Sequence, residues 1–347
     1  MKNSSLFFAY ADEYLHTYIP KQREMSKQTE KTYTDALSLF RRYAFECHKL
    51  AVDKLAFGHI NFDFITGFTM WLKDSDAGKS GSSAQTCNLR VSAIRSYIKF
   101  AMSKDAGLTS LWILLKGIPP VKTVKAAKDV LSEDALRAMI ECAYKQNRLG
   151  LRNATLLVLM YDSACRISEI LELKMCDVFL DTTDPYIFVM GKGRKERRLP
   201  LMERTALYLK EYAAAFHGDG LDAQYLFYSI IKGTTGPLSQ DCISKILKKT
   251  ADEVRVKCPD ITDFPDKIHA HMFRRSRATH LYQAGYDIYW IARFLGHELI
   301  ETTKEYLNPS MEQMRRALEA SSSADDFKTT VNTDEYEKKR ARLYGIR

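Results

Sequence analysis

Pro119 and Pro120, side by side, constrain this chain more than any other pair of residues. Neither nitrogen carries a hydrogen and each ring fixes φ, so no helix runs through them. Around them, residues 118–130 read Ile-Pro-Pro-Val-Lys-Thr-Val-Lys-Ala-Ala-Lys-Asp-Val, with three lysines and little apolar periodicity, as a linker does. A block of residues 1–117 lies before it and another from residue 131 after it. The length, 347 residues, agrees with two domains at roughly 150 residues each.

The first block reads as helical throughout. Apolar residues recur at three and four, with Leu15 and Tyr18 early, then Tyr33, Leu37, Phe40 and Tyr43. Ser26 is placed to cap a helix, and the cluster Gly78-Lys-Ser-Gly-Ser-Ser83 breaks the chain before the next. From Ser82 to about Lys104, Val91, Ile94, Ile98 and Ala101 share one face. Gln85, Asn88, Arg95 and Lys99 share another, which fits a solvated helix face or one lying along a nucleic-acid groove.

The second block starts a helix behind the candidate N-cap Ser132 and is mostly helical, with one interruption. Residues 186–201, Tyr-Ile-Phe-Val-Met-Gly-Lys-Gly-Arg-Lys-Glu-Arg-Arg-Leu-Pro-Leu, read as a β-hairpin with glycines flanking Lys192 at the turn. Pro200 confines its second strand to an edge. Five of the seven residues 192–198 are basic. A helix is expected over 309–320, then the polar run Ser321-Ser-Ser-Ala-Asp-Asp, then a charged helix over 334–343. The tail 321–347 either docks on another subunit or frays. The class is therefore mainly α, with a small antiparallel β-hairpin.

Composition narrows the partners. The chain is 46% apolar and 27% charged, as folded globular proteins are. A net charge of +9 and a pI near 9.0 favour polyanions. Seven scattered cysteines form no CxxC or Cys/His zinc spacing, so no metal site is expected. No signal-peptide pattern and no run of about eighteen apolar residues is present, which sets a cytoplasmic protein with no membrane partner as the expectation.

Chemistry concentrates near the second block's end, where His271-Met-Phe-Arg274, Leu295-Gly-His297 and Tyr306 follow closely. Imidazoles and a guanidinium can hold a phosphoryl group, and a tyrosine hydroxyl can attack it and carry the covalent product. His271 and Arg274 are three apart, on one face of a helix. Arg166 and Glu169 repeat that spacing, so Glu169 can orient a guanidinium; an isolated RxxE is otherwise a weak surface pair. Lys192 is a candidate acid for a leaving oxygen. Fixed cations would then supply the stabilisation that a metal ion gives elsewhere.

The order of these segments is distinctive. Tyr161-Asp-Ser-Ala-Cys-Arg166-Ile-Ser-Glu169-Ile-Leu, Gly191-Lys192-Gly-Arg-Lys-Glu-Arg, His271-Met-Phe-Arg274-Arg-Ser-Arg-Ala-Thr-His-Leu, Leu295-Gly-His297 and Glu301-Thr-Thr-Lys-Glu-Tyr306 together resemble the tyrosine recombinases, or phage integrase family. The resemblance is close over 131–320 and looser over the helical first block, and the layout is Xer-like or transposon-like. It implies a catalytic domain at 131–320 and a core-binding domain at 1–117 that clamps DNA, with the 82–104 helix among its contacts.

By the same resemblance Arg166, Lys192, His271, Arg274 and His297 match the phosphate-activating residues and Tyr306 matches the nucleophile. The activity implied is site-specific recombination without a cofactor, through a 3′-phosphotyrosine link and a Holliday junction. It would serve integration, excision, transposition or dimer resolution. The implied partners are a double-stranded DNA with an inverted-repeat core site, a homotetramer on two duplexes, and accessory DNA-bending or directionality factors, all at the nucleoid. Arg194 and Lys195 on the basic turn are further candidate DNA contacts.

Two departures stand out. Arg275 and Arg277 occupy positions where relatives often carry a histidine and an aromatic, and they are read as added phosphate contacts. Ser163-Ala164-Cys165 replaces the common Thr-Gly-Leu. The rival readings are a phosphotyrosine-forming topoisomerase or telomere resolvase, and a catalytically silent DNA-binding protein.

Overall fold

Aromatic residues at helical spacing build the core of the first unit. The computed structural model describes residues 5–74, 81–123, 129–146, 149–191, 196–218, 225–297, 299–304, 306, 315, 338, 340 and 342. It divides into two units, Met1–Ala126 and Ala127–Arg347. The first holds α1 (Ala11–Glu13), which widens into a π-type helix over Tyr14–Gln22, then α2 (Lys27–His48), α3 (Phe62–Lys73), α4 (Ala84–Lys104) and α5 (Thr109–Gly117). The wide stretch contains Pro20, which has no N–H to return to the preceding turn. Ser26 caps α2, its Oγ accepting the Thr29 N–H at 3.2 Å.

Phe7 centres this core, its ring 5.0 Å from Phe40, 5.1 Å from Phe57 and 5.2 Å from Tyr97. The Tyr97 hydroxyl donates to the Phe7 carbonyl, which satisfies its polar end. Val91, Ile94, Ile98 and Ala101 of α4 are buried, as their spacing predicts.

The polar face of α4 is only partly available to a ligand. The Asn88 amide donates to the Val121 carbonyl at 2.8 Å and accepts the Val121 N–H at 2.8 Å. Arg95 donates to the Ile118 carbonyl at 2.5 Å. Asn88 and Arg95, expected as DNA contacts, are thus committed to the backbone of residues 118–121. The groups they serve flank Pro119 and Pro120, where no helix supplies main-chain partners. Gln85 and Lys99 are exposed, and the Lys99 ammonium stands 6.0 Å over the Trp112 ring.

The second unit comprises α6 (Glu133–Tyr144), α7 (Gly150–Asp162), α8 (Ile167–Glu172), β1 (Val178–Phe179), β2 (Tyr186–Met190), β3 (Glu196–Pro200) and α9 (Glu203–Phe216). It continues with β4 (Tyr228–Ile231), β5 (Thr234–Pro237), α10 (Gln240–Lys257), α11 (Ala270–Gln283), α12 (Ile288–Leu295) and α13 (Ile300–Lys304). Ser132 caps α6, accepting the Ala135 N–H at 3.3 Å. Helix α7 runs through the core and is buried from Asn153 to Asp162. Ile187 and Val189 of β2 point into that core while Phe188 and Met190 face out, the alternation of a one-sided strand.

β2 pairs antiparallel with β3 in the register Tyr186↔Pro200 to Met190↔Glu196, and Pro200 lies on an edge strand as its chemistry requires. Two strand features escape the sequence reading of a single interruption. β1 adds a third strand beside β2, and β4 and β5 form a second hairpin. Its turn residues Lys232 and Gly233 both have positive φ, 51° and 78°, as a type I′ turn demands. Ile230 and Ile231 in β4 are both exposed, so the alternation that marks a half-buried strand is missing.

The expected helix over 309–320 and the tail 321–347 lie outside the described residues, except that Arg315, Lys338, Arg340 and Arg342 have helical backbone. The turn carrying Lys192, Arg194 and Lys195 also lies outside them. No helix among the described residues is long and apolar enough to cross a membrane.

Candidate active site

Arg274, three residues along α11 from His271, is 1% exposed and is among the largest fully buried side chains in the protein. Its two Nη groups donate to main-chain carbonyls, Nη1 to Ala164 and Nη2 to Leu295, each at 2.7 Å. Both acceptors sit where the chain turns sharply. Ala164 is itself left-handed at φ 49°, and Leu295 precedes Gly296 at φ 67°, which ends α12. The Arg274 Nε is buried with no hydrogen-bond partner, and among the described residues no carboxylate forms an ion pair with it. Burial, and then the nearby Arg166, draw its pKa down to about 10. A buried cation whose hydrogen bonds among the described residues run to carbonyls is costly, and an arriving anion relieves that cost.

Arg166 stands at the N-cap of α8, its guanidinium partly exposed. Glu169 accepts the Arg166 backbone N–H at 2.8 Å and the Arg166 Nη1 at 2.9 Å, so the expected orienting pair is present. Burial pushes the Glu169 carboxyl up, but Arg197 and Arg166 outweigh it and hold the group below its ordinary range. It is therefore an anion at neutral pH.

Tyr306 is 6% exposed, packed among Ala164, Ala278, Leu281, Ile291 and Leu295. Its hydroxyl lies 2.6 Å from His271 Nε2, and its carbonyl accepts the Thr279 hydroxyl at 2.6 Å. The rings of His271 and His297 each meet the tyrosine edge-on at 5.4 Å. His297 Nδ1 is 2.8 Å from the Thr303 hydroxyl. Burial, then Arg274, Arg166, His271 and Arg197, lower the His297 pKa to about 4, so this ring is neutral at pH 7 and contributes a hydrogen bond rather than a charge.

The fold thus gathers Arg166, Glu169, His271, Arg274, His297 and Tyr306 into one cluster. Of the two added arginines, Arg275 does not fit the reading as a phosphate contact. It is buried, and its Nε and Nη2 both donate to the Asp129 carbonyl, fastening the start of the second unit to α11. Arg277 lies over the Tyr161 ring, its Cζ 5.2 Å from the ring centroid, and contacts Met202 Sδ at 3.8 Å.

Sequence reasoning missed Arg197, Thr279 and Thr303. Arg197 was visible only as one of five basic residues around a turn. Nothing about Thr279 or Thr303 distinguishes them before their partners are placed.

The pattern of the phage integrase family matches residues 129–313, and that family's N-terminal SAM-like domain matches residues 11–105. The chain is 28% identical over 305 residues to the tyrosine recombinase XerD of Staphylococcus aureus, covering 88% of this chain and 95% of the relative. Among solved structures it is similar to the XerH site-specific recombinase bound to its difH substrate, with a TM-score of 0.64, 20% identity and coverage of 88% of this chain and 83% of that one. It is also similar to a lambda integrase tetramer bound to a Holliday junction, with a TM-score of 0.62, 17% identity and coverage of 88% and 78%. These matches span both units, and by them the chain belongs to the phage integrase family of tyrosine site-specific recombinases.

Proposed function

We propose that this recombinase cleaves and rejoins double-stranded DNA with Tyr306 as the nucleophile, within its own chain's active site. The observation that carries this is the Tyr306 hydroxyl, set 2.6 Å from His271 Nε2 on the helix that also carries the buried Arg274. In the first step the Tyr306 oxygen attacks a backbone phosphorus and its proton passes to His271 Nε2, which requires the tautomer with that nitrogen unprotonated. A phosphotyrosine ester forms at the 3′ side, the bond to the 5′ oxygen breaks, and Lys192 gives that oxygen a proton. A free 5′-hydroxyl then attacks the ester in a partner duplex and releases Tyr306.

Arg166 and Arg274 hold the nonbridging oxygens and His297 donates a hydrogen bond to one of them. Two fixed guanidiniums supply the charge stabilisation, so cleavage is expected to persist in EDTA. The lambda integrase tetramer on a Holliday junction supports a homotetramer on two duplexes here, bound at a core site with inverted repeats. Gln85, Lys99, Arg194 and Lys195 are the remaining candidate DNA contacts. The bounds proposed for the working parts are a core-binding domain over 1–117, a catalytic domain over 131–320 and a docking tail over 321–347.

A nicked suicide duplex, carrying a site selected from a randomised library, tests the chemistry. The wild type should leave a covalent adduct on a denaturing gel, and Tyr306→Phe should leave none. An adduct that survives in Tyr306→Phe would remove Tyr306 from the role. Binding without any wild-type adduct would favour a silent DNA-binding protein.

A further inference from the structure

Glu169 is the meeting point of two arginines, and its side chain is only 5% exposed. Besides the two bonds from Arg166, it accepts Arg197 Nη1 at 3.2 Å on one oxygen and Arg197 Nη2 at 2.8 Å on the other. A carboxylate has about four acceptor sites, so this set fills it. The fork-to-fork pairing with Arg197 fixes the plane of the carboxylate as well as its position. Arg197 reaches further still. Its Nη2 donates to Cys165 Sγ at 3.7 Å, and its guanidinium lies 3.2 to 3.4 Å from the point where a Cβ on Gly296 would sit. One side chain from β3 therefore touches the residue before Arg166, the carboxylate that orients Arg166, and the turn before His297.

We infer that Arg197 is a positioning residue for cleavage: it locks the plane of Glu169, and through Glu169 aims the Arg166 guanidinium at the phosphate. This rests on the recombinase chemistry proposed above. Both Nη groups of Arg197 already point at protein acceptors, so it acts through Glu169 rather than on the DNA. A lysine supplies the same charge at that position but only a single point of attachment, without the two parallel bonds that fix a plane. The position lies on β3, which follows Lys192 in the sequence, so Arg197 also ties that strand to the site.

The test measures single-turnover adduct formation at saturating nicked duplex, together with duplex affinity and Tm. The proteins compared are the wild type, Tyr306→Phe, Arg197→Lys, Arg197→Gln, Glu169→Gln and the Arg197→Gln/Glu169→Gln double variant. An adduct with wild type and none with Tyr306→Phe secures the underlying chemistry, and a wild type without adduct overturns that chemistry separately. Given the adduct, Arg197→Lys and Arg197→Gln should bind the duplex within about threefold of wild type yet cleave at least about tenfold more slowly, as misaimed catalytic groups do. The double variant should be no slower than Glu169→Gln alone to within about twofold, because the two residues act in series.

Cleavage at the wild-type rate in Arg197→Lys would overturn the inference, as would losses that multiply in the double variant. Affinity lost in step with cleavage would make Arg197 a DNA contact, and unfolding of both Arg197 variants would reassign it to stability.

Discussion

At the scale of single residues, Arg274 and His297 carry opposite electrostatic assignments that can be measured. The Arg274 guanidinium keeps its charge in a buried site, and Arg274→Ala removes the donor to two carbonyls at once. Each buried acceptor left without a partner costs roughly 1–3 kcal/mol. Arg274→Ala should therefore lower Tm clearly and slow cleavage by at least roughly 10²-fold, the scale for one lost transition-state donor. Unchanged Tm with slowed cleavage would show that the two carbonyls find other donors.

For His297 the sign follows from a folded pKa of about 4 against roughly 6.5 in the unfolded chain. The unfolded state binds more protons between those values, so the stability from the neutral ring is full above about pH 6.5 and is lost as pH falls through about 4. Urea unfolding across that window should show stability rising with pH, with a shallower rise in His297→Gln. Equal slopes in both proteins would contradict a ring buried in its neutral form.

At the scale of elements, two turns separate conformational strain from contact. Gly285 and Gly296 both have positive φ, 90° and 67°. A Cβ on Gly285 meets nothing within 4 Å, whereas one on Gly296 meets the Arg197 guanidinium. Gly285→Ala should cost about 1 kcal/mol from backbone strain alone and leave cleavage intact. Gly296→Ala should cost at least as much and also slow cleavage, because Arg197 and the turn before His297 must shift. Equal cleavage in the two variants would deny that the Gly296 contact matters. Asn88→Ala is the matching test in the first unit. It should speed hydrogen exchange at the Val121 amide, whose acceptor is Asn88 Oδ1 at 2.8 Å, while leaving the amides within α4 protected.

The elements were legible wherever periodicity reports burial. The α4 apolar face, the Ser26 and Ser132 caps, and the β2–β3 hairpin follow from spacing, capping chemistry and turn residues. The β4–β5 hairpin did not, because its strands are short and its isoleucines face solvent. The polar face of α4 was legible only in part, for a related reason. Sequence shows that Asn88 and Arg95 are polar and outward, but not that the chain doubles back to offer them the carbonyls of Val121 and Ile118. In the candidate site, residues with strong intrinsic chemistry stood out, while the bonds of Arg197 to Glu169 and of Thr303 to His297 depend on partners that only the fold supplies.

For the whole molecule, the two units hold separate apolar cores. One is built around Phe7, Phe40 and Tyr97 and the other around Leu156, Leu159 and Phe273. Unfolding should therefore not be a single two-state transition, and the calorimetric enthalpy should exceed the van't Hoff value. Equal enthalpies in one transition would mean that the units unfold as one.

Arg274 has one consequence for descent. The same guanidinium that is proposed to meet a phosphate ties the Ala164 and Leu295 turns into the core, so mutation cannot discard the one role and keep the other. Tyr306→Phe, by contrast, removes one oxygen and leaves the ring in its apolar nest. Descendants of such a chain that keep DNA binding but lose strand cleavage should accordingly have changed the tyrosine and kept the arginine.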